Sequence, residues 1–118
     1  MVSKSKAKGT YHENWFLKLF TGWGLRVKRQ PLSGALGGEY AGDLVIQLQD
    51  MKLIAEIKYR RDSGFPSPFR VLIGRDIAFY KNGKHDPDAP RWVMLVPDRV
   101  VERFVKQYIK MQEKEQQK

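Results

Sequence analysis

The 118-residue chain contains no cysteine and only two histidines, His12 and His85. Without cysteine there is neither a disulfide framework nor a thiolate zinc site, and two histidines so far apart argue against a histidine-rich metal centre. No apolar run approaches the roughly 18 residues that a membrane-spanning helix needs. The N-terminal lysines are not followed by the apolar segment of a secretory signal peptide. These absences predict a cytoplasmic protein with no membrane partner.

Acidic residues are also scarce. The chain has 13 of them against 22 lysines and arginines, which gives a formal net charge of +9 and a pI near 9.9. Such an excess favours a polyanionic partner, most commonly nucleic acid. The alternative is a basic protein whose charge only prevents aggregation. The hydrophobic fraction of 42% and the chain length indicate one folded domain, residues 1–118.

The glycine-rich segment 31–42, PLSGALGGEYAG, has no G-K-[S/T] sequence, and no helix is predicted directly after it. A P-loop or a dinucleotide-binding turn needs both features, so no nucleotide cofactor is expected. Its glycines are more typical of a flexible segment that approaches another group closely. The segment leads directly into Asp43.

The remaining chain alternates between helical and extended patterns. Residues 1–9 read as a basic flexible arm, and Thr10 with Glu13 has the spacing of a capping box that opens a helix ending near Gly22. Further elements are predicted as a strand over 25–30, a hairpin over 42–60, a short helix over 69–73, strands over 76–81 and 91–96, a helix from Asp98 with an apolar stripe, and a frayed polar tail over 112–118. The expected fold is α/β, with a mixed central β-sheet flanked by helices.

The hairpin has period-two alternation on both strands, which fixes the face of each side chain. A tight turn at Asp50 and Met51 would pair Gln49 with Lys52 and place Asp43 opposite Lys58. Asp43, Glu56 and Lys58 would then project from one face, while the other face is apolar.

Two carboxylates at the tips of neighbouring strands are suited to Mg²⁺ or Mn²⁺, which prefer oxygen ligands. The backbone carbonyl of Ile57 can add another oxygen. A metal ion there would activate water for phosphodiester hydrolysis, and Lys58 would stabilise the developing charge. The alternative is a cross-strand Asp43–Lys58 surface ion pair, which contributes only about 0 to 1 kcal/mol.

Glu13 lies three and seven residues before Phe16 and Phe20, on the apolar stripe of the first helix. It therefore points toward whatever the helix packs on and could be a third acid. Its alternative role is that of a capping glutamate at the helix N-terminus.

Several of these features occur together in a known family. The G-x-x-x-E of Gly9 to Glu13, a strand ending in Lys28 and Arg29, a loop with Ser33 and Gly34, then Asp43 and Glu56-Ile57-Lys58 follow one another in the chain. Over about residues 8–61 this order resembles the Holliday junction resolvases of archaeal type, including phage relatives, in the PD-(D/E)XK nuclease superfamily. The resemblance implies a restriction-endonuclease-like fold.

By this resemblance Asp43, Glu56 and the Ile57 carbonyl would bind the metal, Glu13 would be the additional acid, Lys58 the catalytic lysine and Ser33 a loop serine at the active site. The residues expected to bind DNA are Lys8, Lys28, Arg29, Arg60 and Arg61. Family members are homodimers that nick four-way junctions symmetrically. A dimer interface is expected to use Phe65, Phe69 and Trp92, and the protein would be nucleoid-associated or a viral protein in its host.

The expected function is thus Mg²⁺-dependent cleavage of branched DNA. Two other functions stay open. One is a nuclease of the same fold acting on flaps, single strands or duplex DNA. The other is a non-catalytic basic nucleic-acid-binding module, in which the three charged side chains form only a surface cluster.

Overall fold

A computed structural model describes the backbone of residues 4–30 and 43–116, and the side chains of residues 10–30 and 43–116. The elements in chain order are α1 (Lys4–Gly22), β1 (Arg26–Arg29), β2 (Leu44–Leu48), β3 (Met51–Arg60), α2 (Pro68–Val71), β4 (Ile77–Asn82), β5 (Trp92–Leu95) and α3 (Asp98–Gln116). No described helix is long and apolar enough to cross a membrane.

The five strands form one mixed sheet in the order β1-β2-β3-β4-β5. All neighbouring pairs are antiparallel except β3 and β4, which are parallel. A parallel pair needs a crossover, here residues 61–76 with α2. The predicted α/β class and all predicted strands are confirmed. The strand over 76–81 in particular is β4.

The register of the β2–β3 hairpin differs from the prediction by two residues. Leu48 pairs with Met51 and Leu44 with Ala55, so the tight turn consists of Gln49 and Asp50 and not of Asp50 and Met51. Gln49 takes up the positive φ of 55° that this turn requires. Because the shift is two residues, every side chain keeps its predicted face. Asp43 now lies beside Glu56 and no longer opposite Lys58.

The apolar face of the hairpin forms the core, as predicted. Phe16 and Phe20 of α1 pack on it, with ring centroids 5.2 and 5.0 Å from that of Phe79. Trp92 contacts the same three rings and joins this core, although the sequence suggested it for a dimer interface. The buried cluster consists of Phe16, Phe20, Leu44, Ile46, Leu53, Ala55, Ile57, Ile77, Phe79 and Val100.

Both long helices exceed their predicted bounds. Helix α1 begins at Lys4, so Thr10 lies inside it and cannot be its N-cap, and residues 4–9 continue the helix instead of forming a separate arm. Helix α3 continues to Gln116, past the predicted fraying at residue 112. Alanine, lysine, glutamate and glutamine are strong helix formers, and their propensity extends a helix where the cap signal suggests a stop.

Helix α3 packs one side against the protein, and an apolar stripe next to that side stays largely exposed. Val100 is fully buried and Phe104 packs against the core, while Val101, Val105, Tyr108 and Ile109 are 44 to 61% exposed. We call these last four residues the outer stripe of α3. The predicted apolar spacing is therefore present, but most of it does not cover the sheet.

The observed turn can be tested by a pair of glycine substitutions. Gln49 has a positive φ, a conformation that costs a residue with a side chain about 1 kcal/mol. Gln49→Gly removes this cost, so we expect the free energy of unfolding to stay the same or rise slightly. Met51→Gly places glycine inside β3 and should lower it by at least 0.5–1 kcal/mol. Urea unfolding of both variants checks this. The reverse order of stabilities would indicate the turn at Asp50 and Met51.

Candidate active site

Glu13 lies on the face of α1 that packs on the sheet. It is 9% exposed, and its Oε2 accepts hydrogen bonds from Arg29 Nε at 3.1 Å and Nη2 at 2.8 Å. Phe16 and Phe20, three and seven residues further along the helix, anchor this face in the core. The predicted inward direction of Glu13 is confirmed.

Asp43 is held at the point where β2 begins. Its backbone N–H donates to Ala55 O at 2.8 Å, and its backbone carbonyl accepts from Gln30 N at 3.0 Å. The side chain bonds across to the next strand, because Oδ2 accepts from Ile57 N at 2.7 Å. These bonds fix the carboxylate, which is 9% exposed, against the backbone of β3.

Glu13 and Asp43 form a buried pair of acids. The pKa of Glu13 is raised to about 7, first by burial and then by the charge of Asp43 and a hydrogen bond with its carboxyl group. The Arg29 guanidinium acts in the opposite direction and offsets only part of this. The pair therefore retains a proton near neutral pH unless a cation compensates for the second charge.

Glu56 is engaged by two cations on its own face of the sheet. Lys58 Nζ lies 3.4 Å from its Oε1, and Arg75 Nε lies 3.2 Å from its Oε2. The ion pair of Lys58 is thus formed with Glu56 of the same strand. Arg75 was not predicted from the sequence. It reaches the site from the entry to β4, and only the parallel pairing of β3 with β4 brings it there.

The Ile57 carbonyl was predicted as a further metal ligand. In an antiparallel pair a residue directs its N–H and its C=O to the same neighbouring strand. The N–H of Ile57 is bound by Asp43, so its carbonyl faces the Asp43 side as well. This direction agrees with the predicted role.

The acids form two groups. Within residues 10–30 and 43–116, no three histidine, aspartate or glutamate side chains are clustered closely enough to hold a metal ion. Glu13 and Asp43 make up one group, and Glu56 with its two cations makes up the other, one residue beyond the Leu44–Ala55 pair. The donor set nevertheless suits a divalent cation, since it consists of oxygens and carries a like-charge pair that a cation would neutralise.

Comparisons of the chain with protein-family models, with characterised proteins and with solved structures find no match.

The residues predicted to bind DNA differ in their surroundings. Lys28 and Arg61 are exposed, whereas Arg60 is half-buried and donates to Tyr59 O at 2.8 Å. Arg29 forms an ion pair with Glu13. Ser33 lies outside the described residues, as does the side chain of Lys8.

The raised pKa of Glu13 predicts a pH-dependent stability. Between its ordinary pKa of 4.5 and about 7, the folded protein retains a proton that the unfolded chain has lost. The free energy of unfolding should therefore fall as pH rises through this window, by on the order of 2–3 kcal/mol, and then level off. Glu13→Gln should flatten this part of the curve. Urea unfolding in EDTA from pH 4 to 8 measures it.

The matched control is Glu113→Gln, which changes an exposed carboxylate on α3 and should leave the slope of the wild type. An unchanged slope in Glu13→Gln would contradict the buried acidic pair.

Proposed function

We propose that the protein is a metal-dependent DNA endonuclease with a restriction-endonuclease-like core of the PD-(D/E)XK type. The observation that carries the proposal is the buried Glu13–Asp43 pair at the start of β2, hydrogen-bonded to the strand that bears Glu56 and Lys58. Burying two acids side by side is costly, and a cation-dependent function explains why both are there.

In this proposal Glu13 and Asp43 hold a Mg²⁺ or Mn²⁺ ion, with Glu56 and the Ile57 carbonyl beside them. When bound, such an ion lowers the pKa of a coordinated water and neutralises charge on the phosphate. Lys58 would lie next to the attacked phosphate and stabilise the charge that develops there. Arg75, on the same carboxylate as Lys58, would position Glu56.

The substrate that we propose is a four-way DNA junction. The net charge of +9 favours a polyanion, and the exposed Lys28 and Arg61 are free to contact its phosphates. Flaps, single strands and duplex DNA are the competing substrates for the same chemistry.

Paired nicks across a junction require two active sites, so we propose a homodimer. The outer stripe of α3 supports it, because Val101, Val105, Tyr108 and Ile109 lie at helical spacing and are 44 to 61% exposed. Phe69, one of the residues expected at the interface, is 88% exposed, while Phe65 stacks on Tyr80 with ring centroids 4.6 Å apart.

One observation favours the non-catalytic alternative. Glu56 is already paired with Lys58 and Arg75, as it would be in a surface ion cluster with no metal. Such a protein would bind DNA with the same affinity with or without divalent ions. Cleavage assays separate the two functions directly.

The first test is cleavage of a synthetic four-way junction with Mg²⁺. We expect Asp43→Asn and Lys58→Ala each to reduce nicking at least 100-fold while junction binding stays measurable, because both remove groups that act on the reacting phosphate. The matched controls are Asp50→Asn in the turn and Lys52→Ala on the same face of β3.

Normal cutting by both variants would refute the assigned site. No cutting by the wild type with Mg²⁺ or Mn²⁺ on any of junction, flap, single strand or duplex would favour the binding module. Faster cutting of a flap or duplex than of the junction would keep the chemistry and change the substrate.

The dimer is tested by placing charge on the outer stripe. Val105→Lys with Tyr108→Glu should convert a dimer to a monomer in light scattering, since both side chains are more than half exposed and the fold does not need them. Glu102→Gln and Lys106→Gln, an exposed ion pair on the same helix, serve as the control. A wild-type protein that is monomeric at all concentrations would rule out this interface.

A further inference from the structure

A second cluster of charged side chains lines a cavity beyond the candidate active site. The cavity has a volume of about 410 Å³, within the usual range for small-ligand sites of roughly 300–1,000 Å³. Its basic lining consists of Lys81, Lys84, Arg91, His12 and His85, and its acidic lining is Asp86. None of the five basic residues was among those predicted to contact DNA.

Lys81 is the unusual member of this cluster. It is 4% exposed, its Nζ lies 3.3 Å from His12 Nδ1, and it sits 3.8 Å from the centroid of the Trp15 ring. Arg91 approaches the same ring, with its Cζ at 5.4 Å. Among the described residues, no carboxylate lies within ion-pair distance of Lys81, Lys84 or Arg91.

Lys81 and Arg91 therefore approach one indole ring, and no carboxylate among the described residues pairs with either of them. Burial first, and the Arg91 charge second, lower the pKa of Lys81. Cation–π contact with Trp15 compensates for only part of the lost hydration. An oxyanion within the cavity would neutralise both side chains at once, because lysine and arginine are the usual ligands of phosphate oxygens.

The wall of the cavity is tightly built. The Tyr59 ring stacks on His12 with centroids 3.7 Å apart, and the Gly83 N–H donates to Arg60 O at 2.8 Å. A methyl group on Gly83 would come within 2.3 Å of the Tyr59 hydroxyl, so only glycine leaves room for this ring. Tyr11 is 63% exposed and offers a flat ring on which a nucleobase could stack.

The geometry points to a binding site for the phosphoryl group of a nucleotide in this cavity, held by Lys81 and Arg91. The nucleotide could be the phosphorylated end of a DNA strand or a free mononucleotide, since both present the same group. The inference does not require the proposed nuclease activity, because none of the residues that would hold Mg²⁺ lines the cavity.

Calorimetric titration in EDTA tests this site without the metal. The probes are thymidine 5′-monophosphate, thymidine and inorganic phosphate. We expect the monophosphate to bind at least tenfold more tightly than thymidine, because the charge-assisted hydrogen bonds need the phosphoryl group. Equal affinity for thymidine, or no binding of any probe at millimolar concentration, would overturn the site.

Variants assign the binding to the two cations. Arg91→Gln and Lys81→Met should each weaken the monophosphate at least tenfold, while Arg103→Gln, an exposed arginine on α3, should change it less than twofold. Lys81→Met should also raise the unfolding temperature of the ligand-free protein, because it removes a buried charge. A higher unfolding temperature would show that the variant is folded and that only its binding is lost. Wild-type affinity in both cavity variants would overturn the assignment.

A short oligonucleotide with and without a 5′-phosphate identifies the source of the group. Tighter binding of the phosphorylated strand than of the mononucleotide would assign a strand end, and tighter binding of the mononucleotide would assign a free nucleotide. If the 5′-phosphate changed neither the affinity of the oligonucleotide nor that of the nucleoside, the proposal would fail. Because the titrations use EDTA, a negative result here leaves the junction-cleavage test unaffected.

Discussion

The hydrogen bond from Ile57 N–H to Asp43 Oδ2 is the contact on which the candidate site depends. At the point where β2 begins, the Asp43 carboxylate takes the place of a backbone carbonyl. The buried N–H of a core strand is therefore satisfied by a side chain. The same bond orients the carboxylate toward α1, where Glu13 lies. An unsatisfied buried N–H would cost about 1–3 kcal/mol, so the fold itself favours keeping an acceptor at this position.

This arrangement places the carboxyl groups of Glu13 and Asp43 side by side, and Arg29 compensates for only part of their repulsion. Arg29 donates two hydrogen bonds to Glu13, yet burial and Asp43 still dominate and raise the pKa of Glu13 to about 7. A structural role alone would be served better by glutamine, which accepts the same hydrogen bonds without a second charge. The presence of two carboxylic acids agrees with the proposed function, in which the site would exchange a proton for a cation.

The sequence specified the faces of the hairpin and the inward direction of Glu13, because both follow from local periodicity. It did not specify the register, since a turn at Gln49–Asp50 and one at Asp50–Met51 bury the same side chains. Arg75 and Lys81 were missed for a different reason. Arg75 reaches Glu56 only through the parallel β3–β4 pairing, and Lys81 meets His12 only after α1 packs on the sheet, so neither contact has a sequence signal of its own.

The basic residues differ in their surroundings and do not form one uniform surface. Arg29, Lys58 and Arg75 are paired with buried or half-buried acids, whereas Lys81 and Arg91 approach one indole ring and form no ion pair with any described carboxylate. Both groups meet at α1, because His12 lines the cavity while its neighbour Glu13 joins Asp43. Consecutive residues of a helix point about 100° apart, so one helix contributes a residue to each of the two clusters on adjoining sides. Phe16 and Phe20 pack this helix against the core, and the positions of both clusters therefore depend on the same packing.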